Sequence, residues 1–291
     1  MLRDYLLEWC QNEINGSITG HCGQHCDNRE YCEHDCDKCL NQVHWYPSQP
    51  GRADYTCPNL LLRYVLRFTE RYSQQIASAL TFIDHSRYPR YNIFSIGCGG
   101  TPDLMAFEEA NNKPIYYKGY DRNEFWHEIH SKIEQYANGI NGLDVELLQQ
   151  DIFDVFPGST ATAPYNVVVI QYLLSHLYNT GQEAQTLQLF DSIIRNILPW
   201  RLPNSPFLFI ITDVDSMNKG RNNWHTFLDM LEDAGYQGNA YARSAFASGD
   251  LGEKRWNNFW RQNSPNYNNI RYEYCPNGSV QDGAQLIIEL R

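Results

Sequence analysis

Two hundred and ninety-one residues, 42% hydrophobic, 20% charged and 14% aromatic, make a chain able to bury a large core and exclude wholesale disorder. At about 150 residues per domain there is room for one large domain with an appendage, or two small ones. The formal net charge of −11 opposes electrostatic capture of a polyphosphate, so bulk nucleic acid is not an expected partner.

The chain opens Met1-Leu2-Arg3-Asp4-Tyr5, turning charged where a signal peptide would turn apolar, and no run approaches the roughly 18 apolar residues that span a bilayer. A cytoplasmic protein with no membrane partner is expected. Seven of the nine cysteines then precede residue 58: Cys10, Cys22, Cys26, Cys32, Cys36, Cys39 and Cys57. In a reducing cytosol such density points to metal rather than disulfides. From Cys22 to Cys39 the spacing is C-x3-C-x5-C-x3-C-x2-C, with His21, His25, His34 and His44 interleaved or nearby. Short loops of this kind wrap thiolates around tetrahedral zinc at about 2.3 Å per sulfur. Cys22, Cys26, Cys32, Cys36, Cys39 and Cys57 are the expected ligands of one or two Zn2+ ions, with an iron–sulfur cluster as the other metal reading. Cys32-x3-Cys36-x2-Cys39 also matches the radical S-adenosylmethionine spacing, but Lys38 replaces the usual aromatic residue and the flanks are acidic and turn-like. Between Met1 and Thr56 stand four basic and nine acidic residues, unlike a phosphate-binding finger, so this segment reads as a structural staple or a wall of the substrate pocket.

Beyond Pro58, strand and helix patterns alternate. Leu61, Val65, Phe68, Tyr72, Ile76 and Leu80 recur at spacings of three and four, predicting an amphipathic helix. Short apolar strands are predicted at Asn92–Ile96, Ile115–Tyr120, Val145–Leu148, Asn166–Ile170 and Phe207–Thr212. Helices follow from Pro102 to about Ala110, around Phe125, Ile129, Ile133 and Tyr136, around Leu187, Phe190, Ile194 and Ile197, and around Trp224, Phe227, Leu228 and Leu231. Ile270–Tyr274 and Gln285–Leu290 bracket Pro276-Asn277-Gly278 and Asp282-Gly283, predicting an antiparallel strand pair. The whole describes an α/β fold with a mostly parallel sheet covered on both faces.

In such a sheet, ligands sit beyond the carboxyl ends of the strands where strand order reverses. The first strand runs into Gly97-Cys98-Gly99-Gly100, whose glycines let backbone approach a ligand and whose following helix start offers amide donors. Asp121 closes the second strand 24 positions after Gly97, where a carboxylate can accept hydrogen bonds from both hydroxyls of a ribose. Asp151 closes the third, able to accept from an adenine amino group, with Ile152 and Phe153 as apolar neighbours for the base.

With Ile96-Gly97-Cys98-Gly99-Gly100-Thr101-Pro102-Asp103-Leu104, Gly119-Tyr120-Asp121, Gln150-Asp151-Ile152-Phe153 and the run from Val167 to Leu177, the chain resembles the class I, Rossmann-like S-adenosylmethionine-dependent methyltransferases over about residues 59 to 291. Ser95 and Thr101 stand where that family often has an acid and a third glycine. The resemblance implies a seven-stranded, mostly parallel sheet ending in the antiparallel pair. It divides the chain into a Cys-rich zinc module over 1–58 and a methyltransferase domain over 59–291. The S-adenosylmethionine-binding residues it implies are Gly97, Cys98, Gly99, Asp121, Arg122, Asp151, Ile152 and Gln171, with Gln171 facing the methyl group.

Catalytic residues are not readable; Tyr172, His176, Asp213 and Asp215 lie at the right strand ends. Gln171-Tyr172-Leu173-Leu174 lacks the motif of the family's base-amine enzymes, which with the acidic balance favours a small-molecule or protein acceptor in an aromatic pocket drawing on Tyr172, Trp224 and His225. The competing reading is a catalytically silent fold used for protein contacts.

Overall fold

A computed structural model describes residues 1–16, 36–43, 55–156, 163–214, 222–243, 257–262 and 283–291. Its framework is one eight-stranded sheet built from β1 (Tyr91–Ile96), β2 (Ile115–Tyr120), β3 (Leu143–Leu148), β4 (Val167–Gln171), β5 (Phe207–Val214), β6 (Gly238–Arg243), β7 (Asn257–Gln262) and β8 (Gly283–Leu290). The order is β3-β2-β1-β4-β5-β8-β6-β7. Strands β3 to β5 pair in parallel, and β8 runs antiparallel to both β5 and β6. This is the predicted α/β, Rossmann-like architecture. Order reverses between β1 and β4, and Ile96 is level with both Tyr120 and Ile170, so three carboxyl ends open together at the switch point.

The central strands are apolar because helices cover both faces. On one face, α3 (Pro58–Leu80), α4 (Pro102–Ala110) and α5 (His127–Ala137) pack Leu61, Val65, Leu104, Phe107, Ile129 and Ile133 against the sheet. On the other, α8 (Ala184–Asn196) and α9 (Asn222–Asp233) contribute Leu189, Phe190, Ile193, Trp224 and Phe227. Among the described residues no helix is long and apolar enough to cross a membrane.

Three details add to the expected outline. The first concerns the chain before residue 58. Leu2–Gly16 forms a helix, α1, whose stripe of Leu2, Leu6, Leu7 and Cys10 is fully buried in the same core as α3, α4 and α5. The Leu2 amide donates to Glu108 Oε2 at 2.8 Å and Arg3 pairs with Glu109 at 3.2 Å. Each buried leucine contributes about 1.5–3 kcal/mol, which holds α1 against that core.

The second is an edge strand, β7, which pairs in parallel with β6 and brings the sheet to eight strands. The third is the partner of the last strand. β8 inserts between β5 and β6, and β6 was not legible because Gly238-Asn239-Ala240-Tyr241-Ala242-Arg243 is poor in β-forming residues. Gly238 is required there, since a Cβ would collide with the Glu289 carbonyl. Ile270–Tyr274 lies outside the described residues.

Candidate cofactor and acceptor site

The turn after β1 is fixed by backbone chemistry. Gly97 has φ +66° and Gly99 φ +47°, the left-handed region that glycine enters without penalty. The Gly97 and Cys98 amides both donate to the Tyr120 carbonyl, at 2.8 and 3.0 Å. Thr101 also has a positive φ, 54°, with its hydroxyl buried and unpartnered, and Pro102 then starts α4. Cys98 offers this turn only its backbone. Its thiol is buried, its Sγ would touch a Cβ placed on Gly119, and burial, reinforced by Asp121 and Asp103, pushes its pKa well above the ordinary thiol range.

Asp121 is held in one orientation. Its Oδ2 accepts the Gly99 amide and its Oδ1 the Asn123 amide, both at 3.0 Å. Each oxygen keeps a second lone pair for a ligand hydroxyl. Burial raises its pKa, while the two amides and Arg122 pull it back down. Arg122 Nη1 lies 3.6 Å from Asp151 Oδ2, an exposed and weak pair. Asp151 also caps the short helix Ile152–Val155 (α6) through Phe153 N at 3.0 Å, and Ile152 is buried beside it. The acids closing β2 and β3 are thus linked through Arg122, and the turns after β1 and β2 through Gly99.

Gln171 ends β4 facing α3. Its Nε2 donates to the Tyr72 carbonyl at 3.0 Å and to Gln75 Oε1 at 3.3 Å, leaving its Oε1 buried with no partner. Gln75 Nε2 donates to the Tyr172 hydroxyl at 2.7 Å, and Tyr172 stacks on Tyr72 at 4.3 Å, which stacks in turn on Phe68 at 5.4 Å. Tyr172 holds φ +57°, an outlier for an aromatic residue, beside the glycine turn: a Cβ on Gly97 would stand 3.5 Å from Leu173.

No family profile and no curated protein matches this chain. Solved structures do. The chain is similar to the plantazolicin methyltransferase BpumL in complex with SAH, at 12% identity over 98% of this chain and 99% of that one, TM-score 0.43. It is similar to the plantazolicin methyltransferase BamL in complex with a triazolic desmethylPZN analog and SAH, at 12% identity over 90% and 97%, TM-score 0.47. It is also similar to the 16S rRNA methylase ArmA, at 14% identity over 88% and 98%, TM-score 0.41.

The remaining predicted groups divide clearly. Asp213 is fully buried and structural: its Oδ2 accepts Ser175 N at 3.0 Å in helix α7 (Leu174–Asn179), and its Oδ1 accepts Val214 N at 2.7 Å. Burial pushes its pKa up to about 6. Trp224 is buried in the core on the far face, whereas Tyr172 stacks on Tyr72 of α3. His176 and His225 are half-buried on α7 and α9, and Asp215 lies outside the described residues. A cavity of about 390 Å3 lined by Arg90, Asn92, Tyr116 and Asp144 opens at the opposite end of the strands, away from this chemistry.

Of the predicted metal ligands, Cys36, Cys39 and Cys57 come together in one apolar cluster with Leu40, Leu60, Phe68 and Tyr72. Helix α2 (Cys36–Gln42) is clamped to α3 by a bidentate Arg63–Asp37 pair at 2.7 and 2.8 Å. Cys22, Cys26 and Cys32 lie outside the described residues, among which no three His, Cys, Asp or Glu side chains are grouped to hold a metal.

Sequence reasoning missed Gln75, Trp126 and His130. Gln75 adjoins Ile76 of the apolar stripe, and its only signal is an amide in the long helix beside residues read as core.

Proposed function

We propose that this protein is an S-adenosylmethionine-dependent methyltransferase acting on a small-molecule or protein acceptor. The observation that carries the reading is the Gly99–Asp121 joint at the switch point, which sets a glycine turn and a ribose-type carboxylate in one rigid piece. Two features suit the cofactor: positive-φ glycines that let backbone approach a ligand, and a buried, unpartnered Gln171 oxygen. When bound, S-adenosylmethionine supplies an electrophilic methyl on a sulfonium.

Gly97 and Gly99 pass beneath its methionine part, and the free lone pairs of Asp121 accept the ribose hydroxyls. Asp151 accepts from the adenine amino group, and Ile152 packs beside the base. Gln171, locked by Tyr72 and Gln75, faces the reacting centre. In-line displacement asks the chain to orient an acceptor and exclude water, and the Phe68–Tyr72–Tyr172 stack supplies an apolar wall for both. The zinc reading for Cys22, Cys26, Cys32, Cys36, Cys39 and Cys57 rests on their spacing alone.

Calorimetric titration with S-adenosylhomocysteine tests the proposal. Binding of S-adenosylhomocysteine without binding of nicotinamide dinucleotides is expected, and binding of neither would sink the methyltransferase reading.

A further inference from the structure

The Gly99 residue is gripped on both sides. Its N–H goes to Asp121, and its carbonyl lies 2.8 Å from His130 Nε2. A carbonyl only accepts, so Nε2 carries the proton and donates it. The other ring nitrogen, Nδ1, is buried with no partner. Burial pushes the His130 pKa down to about 4, with the Gly99 carbonyl opposing and His127 adding to the fall. The ring is therefore neutral near pH 7.

The imidazole lies parallel to Trp126, 9° between planes and 6.2 Å between centroids. Trp126 in turn backs the turn itself: a Cβ on Gly99 would stand 3.4 Å from Trp126 Cζ2. Helix α3 closes the opposite side, since a Cβ on Gly100 would meet Val65 Cγ2 at 3.0 Å. A buried histidine needs one acceptor to satisfy its donor, and any free carbonyl would serve. Here that donor goes to the residue whose own amide orients Asp121.

We infer that His130 is a positioning residue for the cofactor: by donating Nε2–H to the Gly99 carbonyl it fixes the residue whose N–H aims the Asp121 carboxylate at the ribose. The inference rests on the cofactor reading above. His130 acts through Gly99 and touches no ligand. With the donor removed, the Gly99 carbonyl is left buried and unpaired, the peptide that carries it gains freedom to turn, and the Gly99–Asp121 bond loses its fixed geometry.

The test uses the full-length protein with S-adenosylhomocysteine as probe, comparing wild type, His130→Leu and His130→Gln by calorimetry. His130→Leu is expected to weaken binding about tenfold or more, the loss of one buried hydrogen bond. His130→Gln, whose carboxamide can donate to the same carbonyl, should recover to within about threefold of wild type. Nitrogen-15 NMR of the wild-type imidazole should show a neutral ring protonated at Nε2, a readout that stands even where His130→Leu does not fold. A folded His130→Leu with wild-type affinity overturns the inference alone, as does an Nδ1-protonated ring or a His130→Gln no better than His130→Leu. Failure of the wild-type protein to bind S-adenosylhomocysteine overturns the cofactor reading and this inference together.

Discussion

Asp121 Oδ2 accepts the Gly99 amide at 3.0 Å, so the turns that follow β1 and β2 are joined by a charge-assisted bond beside the switch point. The aspartate is thereby set before any ligand arrives, and little side-chain freedom is left to lose on binding. Preorganisation of this kind makes the residue sensitive to substitution out of proportion to its size.

Asp121→Ala should therefore weaken S-adenosylhomocysteine binding by roughly 2–4 kcal/mol, from two charge-assisted ribose bonds partly replaced by water. It also leaves the Gly99 amide without its partner. Asp121→Asn, which keeps one acceptor oxygen, should fall between. Calorimetry on the three proteins checks the order, and an alanine variant with unchanged affinity would show that the ribose binds elsewhere.

The glycines carry a backbone requirement that urea unfolding can measure. Gly97→Ala at φ +66° should cost about 1–2 kcal/mol, the price of the left-handed region for an L residue, because its Cβ meets Leu173 only at an ordinary 3.5 Å. Thr101→Gly should come out within about 1 kcal/mol of wild type. It relieves the same strain at φ 54°, but loosens the unfolded chain and loses a buried methyl. A neutral Gly97→Ala would contradict the φ assigned to the turn.

Asp213 gives a pH signature. Its folded pKa is raised to about 6 by burial, against an ordinary aspartate value near 3.8. Between those values the native state binds more protons than the unfolded state, so stability falls as pH rises through the window. The loss from this one group is of order 3 kcal/mol, complete above about pH 6. Unfolding curves at pH 4 and 7 should show a smaller decline in Asp213→Asn than in wild type; equal declines would mean the carboxyl is solvated.

The thiol-rich segment should bring about one to two zinc ions per chain through purification under reducing conditions. Because α2 is clamped to α3 by Arg63 and Asp37, chelation should raise hydrogen exchange in α2 and the first turns of α3 while sparing β1 and β4. Elemental analysis and exchange mass spectrometry read these separately. Metal-free protein, or a brown solution containing iron and sulfide, would overturn the zinc assignment.

Much of this was legible in the sequence, and the gaps have physical causes. Parallel central strands are buried on both faces and mostly apolar, so β1, β2, β4 and β5 announce themselves, whereas β6 is written in small residues and gains its place from β8. Gly97, Gly99, Asp121 and Asp151 stand out in the sequence because tight turns and strand-end acids leave local marks. His130 and Gln75 leave none: their meaning depends on which carbonyl or amide another element brings to them. The glycine run itself proved to have two causes, since Gly100 is also packed between Val65 and Trp126.

Net charge bears on the acceptor. With −11 overall and an acidic N-terminal stretch, filter binding should detect no micromolar, steeply salt-dependent capture of transfer or ribosomal RNA at physiological salt. Such capture would displace the small-molecule or protein acceptor and leave the methyl-transfer proposal standing.

The first helix also sets a schedule. Leu2 bonds to Glu108, and the α1 stripe is covered by α3, α4 and α5, the last of which ends at Ala137. At the roughly 5–20 residues per second of synthesis, some 6–24 s separate the making of α1 from the making of its last covering helix. Through that interval Leu2, Leu6 and Leu7 lack part of their native cover, and the stretch that follows α1 is the most thiol-dense of the chain. Helix α1 is thus completed well before the core that buries it.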